Sequence, residues 1–181
     1  MITNERSQNV IVTLVIIVAL VSSVFLVSNA QYYGGSYILA ETLEVNVMET
    51  KVSGINHENE SVYPGLSFTF NFHTDAKISG NVRVKFIGAA VYLNNEKLTY
   101  TAFSRTIPDE FQNLYPDYNR NFTLGRTIST TEDRNIVLQA DNTSSWNWFL
   151  IFRYYYISFD IPESITWRFL DFNYTGLTTF L

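Results

Sequence analysis

The chain has 181 residues, 46% hydrophobic and 16% aromatic, with a formal net charge of −5. Its 12 Lys and Arg against 17 Asp and Glu give no basic footprint for nucleic acid, which is not expected as a partner. Without a single cysteine, neither a disulfide framework nor a thiolate metal site can form, so stability has to come from apolar burial and sheet hydrogen bonding.

Residues 1–9 make a nearly neutral head, with Arg6 offset by Glu5. Val10 to Val27 follow, 18 residues without a charge. As a helix the run covers about 27 Å, close to the hydrocarbon thickness of a bilayer. Thr13, Ser22 and Ser23 interrupt it. Their hydroxyls can bond back to helix carbonyls, and they are small polar points for packing against another helix. The expected reading is a single transmembrane helix in contact with membrane lipid. A secretory signal competes with it, because Ser28-Asn29-Ala30 puts small residues at the cleavage positions before Gln31. Against cleavage stand a signal core of usually about 7–15 residues and a head that is usually basic. A pilin-type leader is a further alternative, but it needs a basic processing site that the lone Arg6 does not supply. The first positive charge after the helix is Lys51, so the positive-inside bias keeps the amino terminus cytoplasmic and the remainder outside the cell membrane.

Residues 28–40 combine small and turn-prone types with Tyr32, Tyr33 and Tyr37, which suits a juxtamembrane linker with rings at the lipid headgroups. An equal alternative starts the domain there. Residues 41–181 then read as one domain. Strands are expected over Thr42 to Val52 and over Leu66 to Phe72, where apolar Leu66, Phe68, Phe70 and Phe72 alternate with polar neighbours. Val82, Val84 and Phe86 against Arg83 and Lys85 repeat the alternation, and residues 91–98 read as strand, turn, strand. Residues 104–120, with Pro108 and Pro116, predict a long loop with a helical turn around Asp109 to Leu114. Further strands are expected over Phe122 to Ile128, Asn135 to Ala140, Trp146 to Phe159 and Ile165 to Tyr174. With no helical periodicity past the anchor, the predicted fold is all-β: an antiparallel immunoglobulin-like sandwich preceded by one transmembrane helix.

The segment Trp146 to Phe159 is apolar on both faces, one carrying Trp148, Leu150, Phe152, Tyr154 and Tyr156. Either it is a central strand covered on both sides, or one face meets a partner; Trp148, Phe152, Tyr154 and Tyr156 are the candidate contact residues. Trp146, Trp148 and Trp167 could alternatively stack on a sugar, although large aromatics in a sandwich are more often core. Four sequons, at Asn59, Asn121, Asn142 and Asn173, are candidate glycosylation sites, against about three expected by chance from 17 Asn and 33 Ser and Thr.

No catalytic set emerges. His57-Glu58-Asn59-Glu60 and His73 with Asp75 lack the paired spacing of zinc or calcium motifs and read as solvated turns. Gly-x-Ser-x-Gly and a glycine-rich phosphate loop are missing, and Asp109-Glu110 and Glu132-Asp133 read as solubilising loop charges. No metal, cofactor or catalytic residue is therefore assigned.

Val52-Ser53-Gly54-Ile55-Asn56, the strand Leu66 to Phe72, and Val82 to Ala90 running into Val91-Tyr92-Leu93-Asn94-Asn95-Glu96-Lys97-Leu98 follow one another in an order that resembles the group-2 late-embryogenesis-abundant domain, also called the water-stress and hypersensitive-response domain. His73-Thr74-Asp75-Ala76-Lys77 stands where that family has an Asn-Pro-Asn turn, and the later hairpin lacks its Gly. The resemblance implies an immunoglobulin-like sandwich in a non-catalytic, often membrane-tethered protein. The expected function is that of a non-enzymatic accessory subunit of a membrane complex, or a surface structural protein, with other membrane or surface proteins as partners. The alternatives are a secreted or filament-forming protein and a glycan-binding domain.

Overall fold

A computed structural model describes residues 2–99, 103–177 and 179–180, so Met1 of the head and Leu181 of the domain lie outside it. The first element is α1, Ile2–Glu41, a helix of 40 residues. Every residue from Val10 to Val27 is exposed, and the helix is long and apolar enough to cross a membrane. The Thr13 and Ser23 hydroxyls donate to the carbonyls of Asn9 and Ala19, both at 2.8 Å, so they add no unsatisfied group to the apolar stretch. The expected linker over 28–40 does not form, because the helix continues through it. Gly34 and Gly35 disfavour helix by about 1 kcal/mol each, but Leu39, Ala40 and Ser36 are buried against the domain, and that docking outweighs the local preference.

Among the described residues nine strands follow: β1 Glu44–Ser53, β2 Gly65–His73, β3 Val82–Leu93, β4 Glu96–Lys97, β5 Ser104–Thr106, β6 Asn119–Thr127, β7 Asn147–Ser158, β8 Thr166–Thr175 and β9 Thr179–Phe180. One sheet has the order β6-β2-β1-β9, its last pair parallel; the other runs β4-β3-β7-β8, with β5 also on β3. All other pairings are antiparallel. The sheets pack face to face. Phe68, Phe70 and Phe72 of β2 meet Trp148, Phe152 and Tyr154 of β7, with ring centres 5.3 Å (Phe68–Trp148), 4.3 Å (Phe70–Phe152) and 5.5 Å (Phe72–Tyr154) apart.

Two strands change phase at a bulge. In β1 the pairing shifts between Val47 and Glu49, so Val45 faces inward before it and Thr50 and Val52 after it. In β3 the shift lies between Val84 and Phe86. Val82 and Val84 point inward, then Ile87, Ala89, Val91 and Leu93 do. Phe86, expected beside Val82 and Val84, is therefore turned to the outer face.

The strand expected over Asn135 to Ala140 is also corrected. It belongs to helix α2, Thr131–Asn142, whose N-cap Thr130 accepts a hydrogen bond from the Asp133 N–H at 3.2 Å. Val137 and Ala140 are buried at helical spacing. Asp133 is no surface solubiliser: it is buried and accepts from the Thr99 N–H at 3.1 Å and the Thr99 hydroxyl at 2.5 Å. Buried Arg134 donates to the carbonyls of Asn56, Val62 and Asn59 at 3.0, 3.0 and 3.2 Å, pinning the β1–β2 loop. Within the expected 104–120 loop, a short 3-10 turn at Asp109–Phe111 forms near the expected place, beside the short strand β5.

Candidate interaction face and helix junction

The last turns of α1 dock on the loop ahead of β3. A Cβ added at Gly35 would lie 2.0 Å from the Ser79 carbonyl oxygen, and one at Gly80 would lie 2.4 Å from the Ser36 nitrogen. Backbone meets backbone at both points, so a side chain on either residue forces the helix away. The Ser36 hydroxyl donates to the Tyr32 carbonyl at 2.7 Å and accepts from the Asn81 N–H at 2.8 Å. The Asn81 side-chain amide donates to the Asp160 carboxylate at 2.7 Å and to the Tyr32 hydroxyl at 3.1 Å. Arg83 Nε completes the set, 3.0 Å from Asp160. Phe159 packs 5.6 Å from Tyr32 and 4.8 Å from Tyr33, ring to ring. At the helix end Glu41 forms an ion pair with Arg168. A hydrogen bond with Tyr156 and the charge of Glu41 hold the Arg168 guanidinium pKa above its ordinary value. This junction fixes the direction of α1 relative to the sheets.

A second feature lies on the outer face of the β3-β7-β8 sheet. The register places Phe86 opposite Tyr155, Tyr155 opposite Trp167, and Arg153 opposite Phe169. Phe86 and Tyr155 stack at 5.8 Å with an interplanar angle of 12°, and Trp167 lies 4.9 Å from Tyr155. The Arg153 guanidinium carbon is 5.6 Å from the Phe86 ring centre and 5.4 Å from that of Trp167. Gly88, opposite Arg153, leaves room for this: a Cβ there would press on the Phe86 ring at 3.2 Å. Trp167 is 41% and Phe169 64% exposed on β8, the last strand in the sheet's order. Such a strip of rings around one cation can shed water against a partner surface.

The residues expected to touch a partner fare differently. Trp148, Phe152, Tyr154 and Tyr156 are 0–5% exposed and lie between the sheets, so the domain itself covers them. Burial also pushes the Tyr154 phenol up to about 12. The outer face of β7 carries Phe149, Ile151, Tyr155 and Ile157, all half-buried. The three tryptophans do not form one platform: Trp146 and Trp148 stack on each other in the core at 5.9 Å, and Trp167 stands apart on the outer face. Asn59, Asn121, Asn142 and Asn173 are all exposed. Their spread over the β1–β2 loop, β6, the end of α2 and β8 gives no cluster. Thr13, Ser22 and Ser23 lie on the exposed part of α1. The two histidines are held locally, His57 Nε2 at 2.7 Å from Asp141 and His73 Nε2 at 3.3 Å from Glu44. Among the described residues no group of three metal-ligating side chains forms. The outer strip was missed because Phe86 was assigned to the wrong face; the clash between the Val82-Val84-Phe86 phase and the Ile87-Ala89-Val91-Leu93 phase was the available signal.

No protein-family model and no curated protein matches the chain. Among solved structures it is similar to a crystal structure of a protein from Archaeoglobus fulgidus, at 10% identity and a TM-score of 0.42, covering 77% of this chain and 99% of that one. It is also similar to part of a β-glucosidase from Kluyveromyces marxianus in complex with glucose, at 10% identity and a TM-score of 0.31, covering 75% of this chain but 15% of the enzyme.

Proposed function

We propose that the chain is a non-catalytic, single-pass membrane protein that holds an immunoglobulin-like sandwich outside the cell membrane. It serves as an accessory subunit of a membrane assembly or as a surface structural protein. One observation carries the reading: the outer-face strip in which exposed Trp167 and Phe169 adjoin half-buried Tyr155, Phe86 and Arg153, on a domain joined without slack to an apolar helix. The partner is another membrane or surface protein with an apolar patch, because the strip offers area and rings rather than a chemical centre. The two packed sheets with inward alternation support the immunoglobulin-like assignment, and so does the resemblance to the late-embryogenesis-abundant domain, whose matching segments fall on β1, β2, β3 and β4. The charge distribution about α1 supports a cytoplasmic amino terminus.

The test is purification of the full chain from native membranes in mild detergent, beside the double variant Trp167→Ser, Phe169→Ser. Defined subunits should accompany the native chain and fall at least about tenfold with the variant, the loss of a central contact of roughly 1.4 kcal/mol or more. A native chain that runs alone, or equal recovery with the variant, overturns the reading.

A further inference from the structure

A cleft opens at the far end of the β3-β7-β8 sheet, where the register sets Tyr92 opposite Phe149 and Phe149 opposite Asn173. Tyr92, Phe149, Asn95, Asn147 and Asn173 line it, and its volume is about 190 Å³. It is separate from the outer strip, because Phe149 lies six residues before Tyr155 on β7, about 20 Å away. It is also remote from the helix. Tyr92 is ten residues along β3 from Val82, about 33 Å from the junction at Asn81.

Asn94 and Asn95, with φ of 51° and 70°, make the two-residue turn between β3 and β4, a conformation that asparagine tolerates. Asn94 ties this turn to the start of β7. Its side chain donates to the Ser145 carbonyl at 2.7 Å and accepts from the Asn147 backbone N–H and side-chain amide, both at 3.1 Å. The Asn147 amide also donates to the Ser145 hydroxyl at 3.0 Å. Both of its donors are thus used, which fixes the amide and leaves its Oδ1 as an unused acceptor among the described residues. The Asn95 and Asn173 side chains are exposed, and their amides make no hydrogen bond among the described residues.

Beside these amides stand two half-buried rings, Tyr92 and Phe149, 5.6 Å apart and inclined at 46°. Among the described residues no charged side chain lines the cleft. The lining selects the ligand. A phosphate or carboxylate finds no cation here, and a wholly apolar ligand would strip water from the amides without replacing its hydrogen bonds. A sugar suits both parts, with the C–H face of its ring against an aromatic side chain and its hydroxyls on the amides. The volume is below the roughly 300–1,000 Å³ of sites for drug-sized ligands, so one sugar unit enters rather than an extended chain. We propose that the cleft of Tyr92, Phe149, Asn95, Asn147 and Asn173 binds a neutral sugar unit, at the end of the sandwich remote from the helix. The unit belongs either to another molecule or to a glycan on Asn173 itself, whose sequon runs through Thr175. Neither ring is one of the three tryptophans, and the site adds to the outer strip without depending on it.

The test is saturation-transfer NMR on the full chain, made without glycosylation and held in phosphatidylcholine nanodiscs, which avoid sugar-headed detergents. The probes are the methyl glycosides of glucose, galactose, mannose and N-acetylglucosamine at millimolar concentration. At least one should receive saturation, strongest at its ring C–H protons. The signal should fall at least about fivefold in Phe149→Leu, which keeps an apolar side chain, and in Asn95→Gly, which removes an amide but suits the left-handed turn. It should be unchanged in the double variant Trp167→Ser, Phe169→Ser, so failure of the strip reading leaves this site standing. Saturation of none of the probes, equal signals in Phe149→Leu and Asn95→Gly, or loss with the strip variant overturns the proposal. Chain purified from native membranes then separates the two sources, either of which supports it. A probe signal equal to that of the unmodified chain assigns the cleft to a sugar on another molecule; a modified Asn173 with the signal lost assigns it to the chain's own glycan.

Discussion

At the scale of single residues, β7 has one fully packed face and one half-buried face. Phe152 is fully buried and touches Phe70 and Phe72, so Phe152→Ala should lower unfolding stability by about 3–5 kcal/mol through lost transfer energy and a cavity. Phe169 projects into solvent, and Phe169→Ala should change it by no more than about 0.5 kcal/mol. Denaturant titration of both variants checks this; similar losses would mean that the inner and outer faces have been exchanged. Buried phenols give a pH dependence. Burial pushes Tyr118, Tyr154 and Tyr174 up to about 12 from an ordinary 10.0. The unfolded chain releases these protons near its ordinary value and the folded chain holds them. The contribution is therefore complete below pH 10 and is lost as pH rises toward 12. A urea midpoint that falls between about pH 9.5 and 11.5, and falls less in Tyr154→Phe, is expected; equal slopes would contradict it.

At the scale of elements, local pattern and tertiary packing contributed unequally to what could be read beforehand. The strand Leu66 to Phe72 was legible because its alternation reports one half-buried face, and the structure has β2 there. Helix α2 was missed because Ile136, Val137 and Leu138 look strand-like, whereas the signals that decide it are the Thr130 cap and the acidic first turn. Residues 28–40 misled for the opposite reason. Their glycines suggest a linker, but Gly35 serves close approach, and the loop it meets is some 45 residues away in sequence. The outer strip depended on a single bulge at Lys85, which alternation alone does not place. The glycine contact makes its own prediction. Gly35→Ala should destabilise the domain by about 1–3 kcal/mol through overpacking and loosen the joint. Spin labels at Asn29→Cys and Glu96→Cys should then give a visibly broader distance distribution than in the parent; an unchanged width would show that the junction does not depend on this contact.

At the scale of the whole molecule, the parts form one chain of consequences. An uncharged run gives a helix that can cross a bilayer, the glycine contact and the Ser36–Asn81 hydrogen bonds join that helix to two packed sheets, and the sheets hold an aromatic strip in a fixed direction. On the proposed reading, the protein orients a recognition surface above a membrane; a domain on a slack tether would leave that orientation unset. The central claim is the arrangement across the membrane, and the cysteine-free chain allows it to be measured in cells. Ser7→Cys and Glu96→Cys variants are exposed to a membrane-impermeant maleimide before and after permeabilisation. The account predicts that Glu96→Cys is modified in intact cells and Ser7→Cys only once the membrane is opened. Modification of Ser7→Cys in intact cells, or protection of Glu96→Cys, would contradict it.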